Sequence, residues 1–384
     1  MNLEHNINRI KYLLHLYQME EEELLEILNE GRTQLIEKED LFSNEIKLSL
    51  LKKVDKIFNK GISFYLDPSE IPITKESSIF FRKEKFNTEL NIESKQIVNR
   101  YEELKNRISA YAKLSEFETE RILKIYHTDS HPQKVAKEVG GFLYPRFSVD
   151  KKKFLTKLIS KFAEYNILVF EFVEHSQKIK KSNIDGFYLK PDVIVIRRNK
   201  ISYKREIFTL LHELGHYLLQ KEEIEAVNSK DLAKKDLSKV ESWCNEFAFY
   251  FLLGKYVDDF EAIKYADKSN DYYNDLIDEI SKNTHLSFLA IYTRLLYQNK
   301  ISGGTYNLIK KNVDQFIADK KEKEEQQNLL DKQNGKIAIG IAKPINSPLL
   351  VSALHIAFSE GMISEFDVCN TLNIKTDNFN KVMQ

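Results

Sequence analysis

Between Ser202 and Leu219 two patterns are laid over one another, and together they constrain the fold more than any other stretch of the chain. Ile207, Leu211, Leu214 and Leu218 recur as one apolar stripe at helical spacing, while His212 and His216, four residues apart, share a different face. A helix starting near Ser202 is expected, and its apolar stripe requires a second layer to cover it. The residues before it can build that layer. Ile167-Leu168-Val169-Phe170-Glu171-Phe172-Val173 is rich in β-branched and aromatic residues and reads as a strand. Asp185 to Leu189 and Val193 to Ile196, separated by Pro191, read as a hairpin or two strands of one sheet. Phe154, Leu155, Leu158, Ile159 and Phe162 place another helix ahead of them. This order of helix, strands and helix predicts an α+β fold, mostly helical, with a small antiparallel or mixed sheet packed on the histidine-bearing helix.

At 384 residues the chain exceeds what one hydrophobic core usually organises. Residues 1–75 carry apolar positions at helical spacing and form a helical domain, ending near Ile71-Pro72 because proline disfavours a continuing helix. Residues 76–148 read as a helical connector, including long amphipathic helices between Glu93 and Tyr126 and a turn or loop at Gly140 to Pro145. The α+β core spans 149–258, a helical segment 259–318, and a helical tail 338–384. Between the last two, 319–337 is rich in Lys, Glu and Gln and reads as a charged linker or a helix extension. Lys+Arg and Asp+Glu balance at 58 each, so no global charge draws the chain to nucleic acid or lipid. No apolar run reaches the roughly 20 residues of a membrane span. The two cysteines, Cys244 and Cys369, rule out a disulfide framework, and no export leader is seen, so the chain is expected in the cytoplasm without a membrane partner.

The chemistry resides in His212-Glu213-Leu214-Gly215-His216. Two imidazoles one turn apart can hold a single ion, and the spacing suits Zn2+ with bonds of about 2.0–2.1 Å. Glu213 follows the first histidine, where its carboxylate reaches a metal-activated water and serves as catalytic general base in peptide hydrolysis. Such a pentapeptide arises by chance in roughly one chain in fifty of this composition, so two ordinary surface histidines are the competing explanation; the helical context and separate apolar face argue against it. A catalytic site needs a third protein ligand. The pattern with a third histidine is excluded, because Leu219 and Glu222 stand where Gly and His are needed. The segment Glu241-Ser242-Trp243-Cys244-Asn245-Glu246 offers a carboxylate instead. Glu241 is favoured, because Asn245 falls one turn later on its face and can fix a ligand histidine's tautomer. Glu246 is the alternative ligand, Glu223 a further one, and Cys244 reads as a small buried hydrophobe. Arg205 and Thr209 share the histidine face and line the cleft, where Arg205 can meet a substrate carbonyl or carboxylate unless it is an ordinary surface arginine. Val193 to Ile196 is either an edge strand to which an extended peptide adds or an interior strand.

These residues resemble the ImmA/IrrE family of bacterial zinc peptidases. The resemblance rests on Gly186-Phe187 before a strand, on Arg205, Phe208 and Thr209 leading into the histidine pentapeptide, and on Glu241-x-x-Cys244-Asn245-x-Phe247-Ala248, where the family typically has Ala in place of Cys244. Ile277 to Leu296 is similar to the helix-turn-helix-like piece that follows the family's peptidase core, and Ala353 to Val368 to the tail of its longer members. The resemblance implies a zincin-like core, zinc on His212, His216 and Glu241, and Glu213 as base. It also implies site-specific cleavage of a protein, typically a helix-turn-helix repressor controlling stress-response or mobile-element genes.

Longer relatives carry an N-terminal DNA-binding helix-turn-helix, and Asn8 to Leu66 resembles one in outline. Residues 1–75, however, hold 14 acids against 10 bases, whereas DNA affinity comes largely from basic contacts to phosphate. A protein-binding or dimerising role is the stronger expectation and DNA the weaker. A competing reading is a DNA- or protein-binding regulator with a non-catalytic zinc site, and a toxin–antitoxin or phage-defence setting fits either. The substrate and oligomeric state are not written in the sequence.

Overall fold

Leu168–Val173, Gly186–Leu189 and Val193–Arg198 form a three-stranded mixed sheet with Val193–Arg198 at its centre. In the computed structural model, which describes residues 1–71, 78–82, 89–115, 120–174, 180–198, 202–224, 238–333 and 342–383, Leu168 pairs in parallel with Val193 and Phe170 with Val195. On the other side Gly186 pairs antiparallel with Ile196 and Leu189 with Val193, closing the expected hairpin. Val193 to Ile196 is therefore an interior strand, and the edge-strand reading is corrected: both of its hydrogen-bonding edges are used within the sheet. The outer strand Gly186–Leu189 is itself buried at all four residues.

Two helices, Lys151–Glu164 and Tyr203–Leu219, pack on this sheet. Alternation along the strands turns Val169, Ile194 and Ile196 into one core with Phe154, Leu158, Phe162, Ile207, Leu211, Leu214 and Leu218, all buried. The helix Tyr203–Leu219, called here the histidine helix, begins where the Ser202 hydroxyl accepts the Arg205 amide and ends on Gln220 in the left-handed region at φ 53°. The helix Lys239–Leu253, the glutamate helix, packs against both the histidine helix and Pro132–Leu143.

Pro132–Leu143 corrects the expected loop at Gly140 to Pro145. The helix runs through Gly140 and Gly141 because Val135, Ala136, Val139 and Leu143 bury one face, which outweighs a cost of about 1 kcal/mol per glycine. The helix Ile92–Leu114 stops short of the expected connector's end. Beyond it the chain is latched to the histidine helix: the Tyr126 amide donates to Leu218 O at 2.9 Å, and the Arg121 guanidinium sits 3.8 Å from the Tyr217 ring centre. Asn274–Asn283 and Phe288–Tyr297 follow the glutamate helix, and Gly303–Gln333 continues as helix through residue 333 of the charged stretch.

By compactness the chain divides into Met1–Asn106 with Ile179–Ile184, and Arg107–Lys178 with Asp185–Gln384. The first unit holds the helices Ile7–Leu16, Glu21–Asn29, Lys38–Phe42, Leu48–Phe58 and Ile62–Leu66 around Leu13, Tyr17, Leu24, Leu51 and Val54. It also contains an antiparallel pair, Asn2–Glu4 with Glu45–Lys47, absent from the all-helical expectation. Among the described residues no helix is long and apolar enough to cross a membrane.

One charged cluster lies inside the second unit. Arg198 bonds Glu206 of the histidine helix at 2.9 Å and Glu171 of the parallel outer strand, with all three side chains at most 3% exposed. Glu171 also accepts the amides of Ile345, at 3.0 and 2.9 Å, and Asn346, at 2.7 Å, which fastens the C-terminal helices beginning at Pro348 to the sheet. Replacing Arg198 with Met would leave two buried carboxylates without a counter-charge. We expect a loss of about 3–5 kcal/mol of stability, read as a lower urea midpoint with an unchanged slope.

Candidate metal centre

His212 and His216 project from the second half of the histidine helix, His216 from its last turn, and Glu241 from the first turn of the glutamate helix. Their donor atoms converge. His212 Nε2 lies 3.1 Å from His216 Nε2 and 3.1 Å from Glu241 Oε2, and His216 Nε2 lies 3.3 Å from Glu241 Oε1. A tetrahedral ion with bonds near 2.05 Å spaces its ligand atoms about 3.3 Å apart, and the two nitrogens, each facing a different oxygen of the one carboxylate, form a donor triangle of about that size. Among the described residues this is the group of His, Cys, Asp or Glu side chains able to hold a metal.

The far ring nitrogens are also engaged. His216 Nδ1 is 3.1 Å from Lys221 O, and His212 Nδ1 is 3.0 Å from Asn245 Oδ1. A backbone carbonyl can only accept, so His216 Nδ1 carries the proton and donates it, and Nε2 presents a lone pair to the shared point. Asn245 Oδ1 does the same for His212. Two lone pairs 3.1 Å apart beside a carboxylate repel one another unless a cation lies between them. In the absence of a cation a proton on the histidines can take its place: burial opposes ionisation of Glu241, but the charges and hydrogen bonds that His212 and His216 then supply overcome it and hold the carboxyl well below the usual carboxylate range. His216 and Glu241 are 1% and 3% exposed, and the His212 side chain 13%, so the histidine nearer the helix start is the more open to solvent.

Glu213 is 5% exposed and lies against the outer strand. A Cβ on Gly186 would fall 2.7 Å from Thr209 Cγ2, 3.0 Å from Val195 O and 3.2 Å from Glu213 Cγ. The strand can approach the helix here only because residue 186 has no side chain. Thr209 thus packs its methyl group against the strand and is half-buried. Arg205 is exposed, and its Nε donates to Asp185 Oδ2, while Asp185 Oδ1 meets Arg197 Nη1 at 3.3 Å. Its contact in this structure ties the helix start to the residue before Gly186.

The alternative ligands are used elsewhere. Glu246 pairs with Arg294 Nη1 at 2.9 Å and stands outside the donor group, because five residues after Glu241 it faces away from the histidines. Glu223 accepts the Ser238 hydroxyl at 3.1 Å. Cys244 is fully buried and not a member of the group; burial, then the charges of Glu241, Glu213 and Glu223, push its thiol pKa up.

Two positioning groups were missed. One is the Lys221 carbonyl, which no side-chain pattern reveals. The other is Ser238, whose hydroxyl accepts the Glu241 amide at 3.1 Å and caps the glutamate helix; the Ser238-x-x-Glu241 spacing is a recognisable helix-start signature.

Residues 164–296, which contain both helices, match the family model described as IrrE N-terminal-like domain, Peptidase_M78, and this stretch therefore belongs to the ImmA/IrrE family. No curated protein matches the chain. Membership in a peptidase family together with the His212, His216 and Glu241 group marks a metallopeptidase-type centre. Gly186→Ala should displace the Glu213 carboxylate without disturbing the three donors. Metal content per chain is expected to stay that of the parent, while the solvent accessibility of Glu213, read by carbodiimide labelling and mass spectrometry, rises.

Proposed function

We propose that this protein is a zinc-dependent endopeptidase that cuts a specific partner protein, with Glu213 as its general base. The observation that carries this reading is the convergence of three metal-donor atoms beside a buried glutamate, inside a domain of a peptidase family. A zinc ion held by His212, His216 and Glu241 would lower the pKa of a water toward about 7 and polarise the carbonyl under attack. Glu213 removes a proton from the attacking water onto a carboxylate oxygen and delivers it to the departing amine nitrogen. Its burial keeps competing solvent away and raises the strength of each charge interaction. Asn245 and the Lys221 carbonyl keep both imidazoles in the metal-binding tautomer throughout. Arg205, exposed at the helix start on the histidine face, is assigned to a carbonyl or carboxylate of the substrate.

The substrate class follows the family resemblance: a helix-turn-helix repressor in the cytoplasm, whose loss switches on stress-response or mobile-element genes. We assign the N-terminal unit to recognition of that protein rather than to DNA. Its helices Glu21–Asn29 and Lys38–Phe42 and the residues beside them expose Glu22, Glu23, Glu26, Glu30, Glu37, Glu39 and Asp40, which repel a phosphate backbone.

Glu213→Gln preserves shape but cannot take a proton. Incubated with a candidate helix-turn-helix repressor that the parent cuts, this variant should retain one zinc per chain and lose at least about a thousandfold in cleavage rate. Cleavage at the parental rate would refute the assigned base. Removing zinc by dialysis against a chelator should abolish cutting by the parent, and added zinc should restore it.

A further inference from the structure

The donors sit on two helices, so something must set the distance between those helices. Gly215 precedes His216 and follows His212 by three residues; Cys244 follows Glu241 by three and precedes Asn245. The two residues meet across the helix interface. A Cβ on Gly215 would lie 2.9 Å from Cys244 Sγ, 3.0 Å from its Cβ and 3.1 Å from its Cα. Carbon atoms in contact prefer about 3.5–4.0 Å. The Sγ can rotate aside, but Cα and Cβ cannot, so any side chain at 215 must part the helices by about 0.5–1 Å.

We infer that the Gly215–Cys244 contact is the spacer that sets the size of the donor triangle, and so determines how tightly and with what coordination geometry the chain holds its metal. This rests on the metal-centre reading above. The donors are separated by 3.1–3.3 Å, and a tetrahedral ion needs about 3.3 Å. The triangle therefore has little room to widen. Pushing the glutamate helix away moves Glu241 from both histidines together, because Glu241 is one turn from the contact. An ion held by His212 and His216 then loses its carboxylate or accepts a looser, water-filled shell. Asn245 moves with the same helix, so the tautomer of His212 is released as well. Both residues act through the ligands and touch no substrate, which makes them positioning residues.

The test uses the full chain, titrated with Zn2+ against a chromophoric chelator and, separately, loaded with Co2+, whose visible absorption is intense in four-coordinate sites and weak in six-coordinate ones. Gly215→Ala should bind zinc about 10–100-fold more weakly and give a weaker, shifted Co2+ spectrum. Cys244→Ala, which removes only the movable Sγ, should stay within about threefold of the parent. Pairing Gly215→Ala with Cys244→Gly removes the opposing Cβ and should recover at least half of the lost binding free energy. Should Gly215→Ala fail to fold, Cys244→Val enlarges the same contact from the other helix, with the same loss expected. A folded Gly215→Ala with parental affinity and spectrum overturns the inference, as does a double variant no tighter than the single one; a contact that merely packs would lower Tm and leave both readouts alone. If the parent itself binds no zinc at micromolar concentration, the metal-centre reading fails and takes this inference with it.

Discussion

Two imidazole lone pairs and a carboxylate, all within 3.3 Å of one another, do not attract each other. In water they would separate and hydrate. Here they are held in a space where His216 and Glu241 are almost fully buried, at an electrostatic cost that a cation, or a proton in its place, offsets. Much of the surrounding architecture can be understood as the frame that keeps these atoms in place before a cation arrives. The Ser202 cap and the Tyr126 and Arg121 latches fix the two ends of the histidine helix, and Ser238 fixes the start of the glutamate helix.

The frame also explains why the site is asymmetric. His212 is supported by an amide side chain from the other helix, His216 by a main-chain carbonyl just past its own helix. The left-handed Gln220 makes the second arrangement possible, because it turns the chain back so that Lys221 N bonds His216 O and Lys221 O meets His216 Nδ1. Gln220 Nε2 in turn bonds Tyr188 Oη at 2.8 Å and Pro191 O at 3.1 Å, joining that turn to the hairpin loop. A glutamine held by two such partners can occupy a conformation more often given to glycine.

What the sequence made legible were features carried by short-range periodicity. The four-residue histidine spacing, the apolar stripe from Ile207 to Leu218, the Ser202 start and the Glu241/Asn245 spacing each lie within one element, and local geometry decides them. What it hid depended on partners far away in the chain. Glu246 stayed open as the alternative ligand because the Arg294 that pairs with it lies 48 residues on. The glycine pair at 140 and 141 argued for a loop because the burial that outweighs it comes from other helices. Strand order was equally hidden: nothing local states that Val193–Arg198 lies between a parallel partner and an antiparallel one. The attachment of Ile345 and Asn346 to Glu171 joins positions more than 170 apart, beyond the reach of any periodic pattern.

That attachment also has a meaning in time. Glu171, Arg198 and Glu206 are made early, but the Ile345 and Asn346 amides that complete their cluster come roughly 140 residues after Glu206, about 7–28 s later at ordinary ribosomal speeds of about 5–20 residues per second. During that interval the Glu171 carboxylate has Arg198 but only water in place of the Ile345 and Asn346 amides, so the ground beneath the histidine helix stays hydrated and looser. The metal-donor helices would thus be synthesised well before they are rigid, and a nascent chain would hold its centre in an immature form until the last interlock closes.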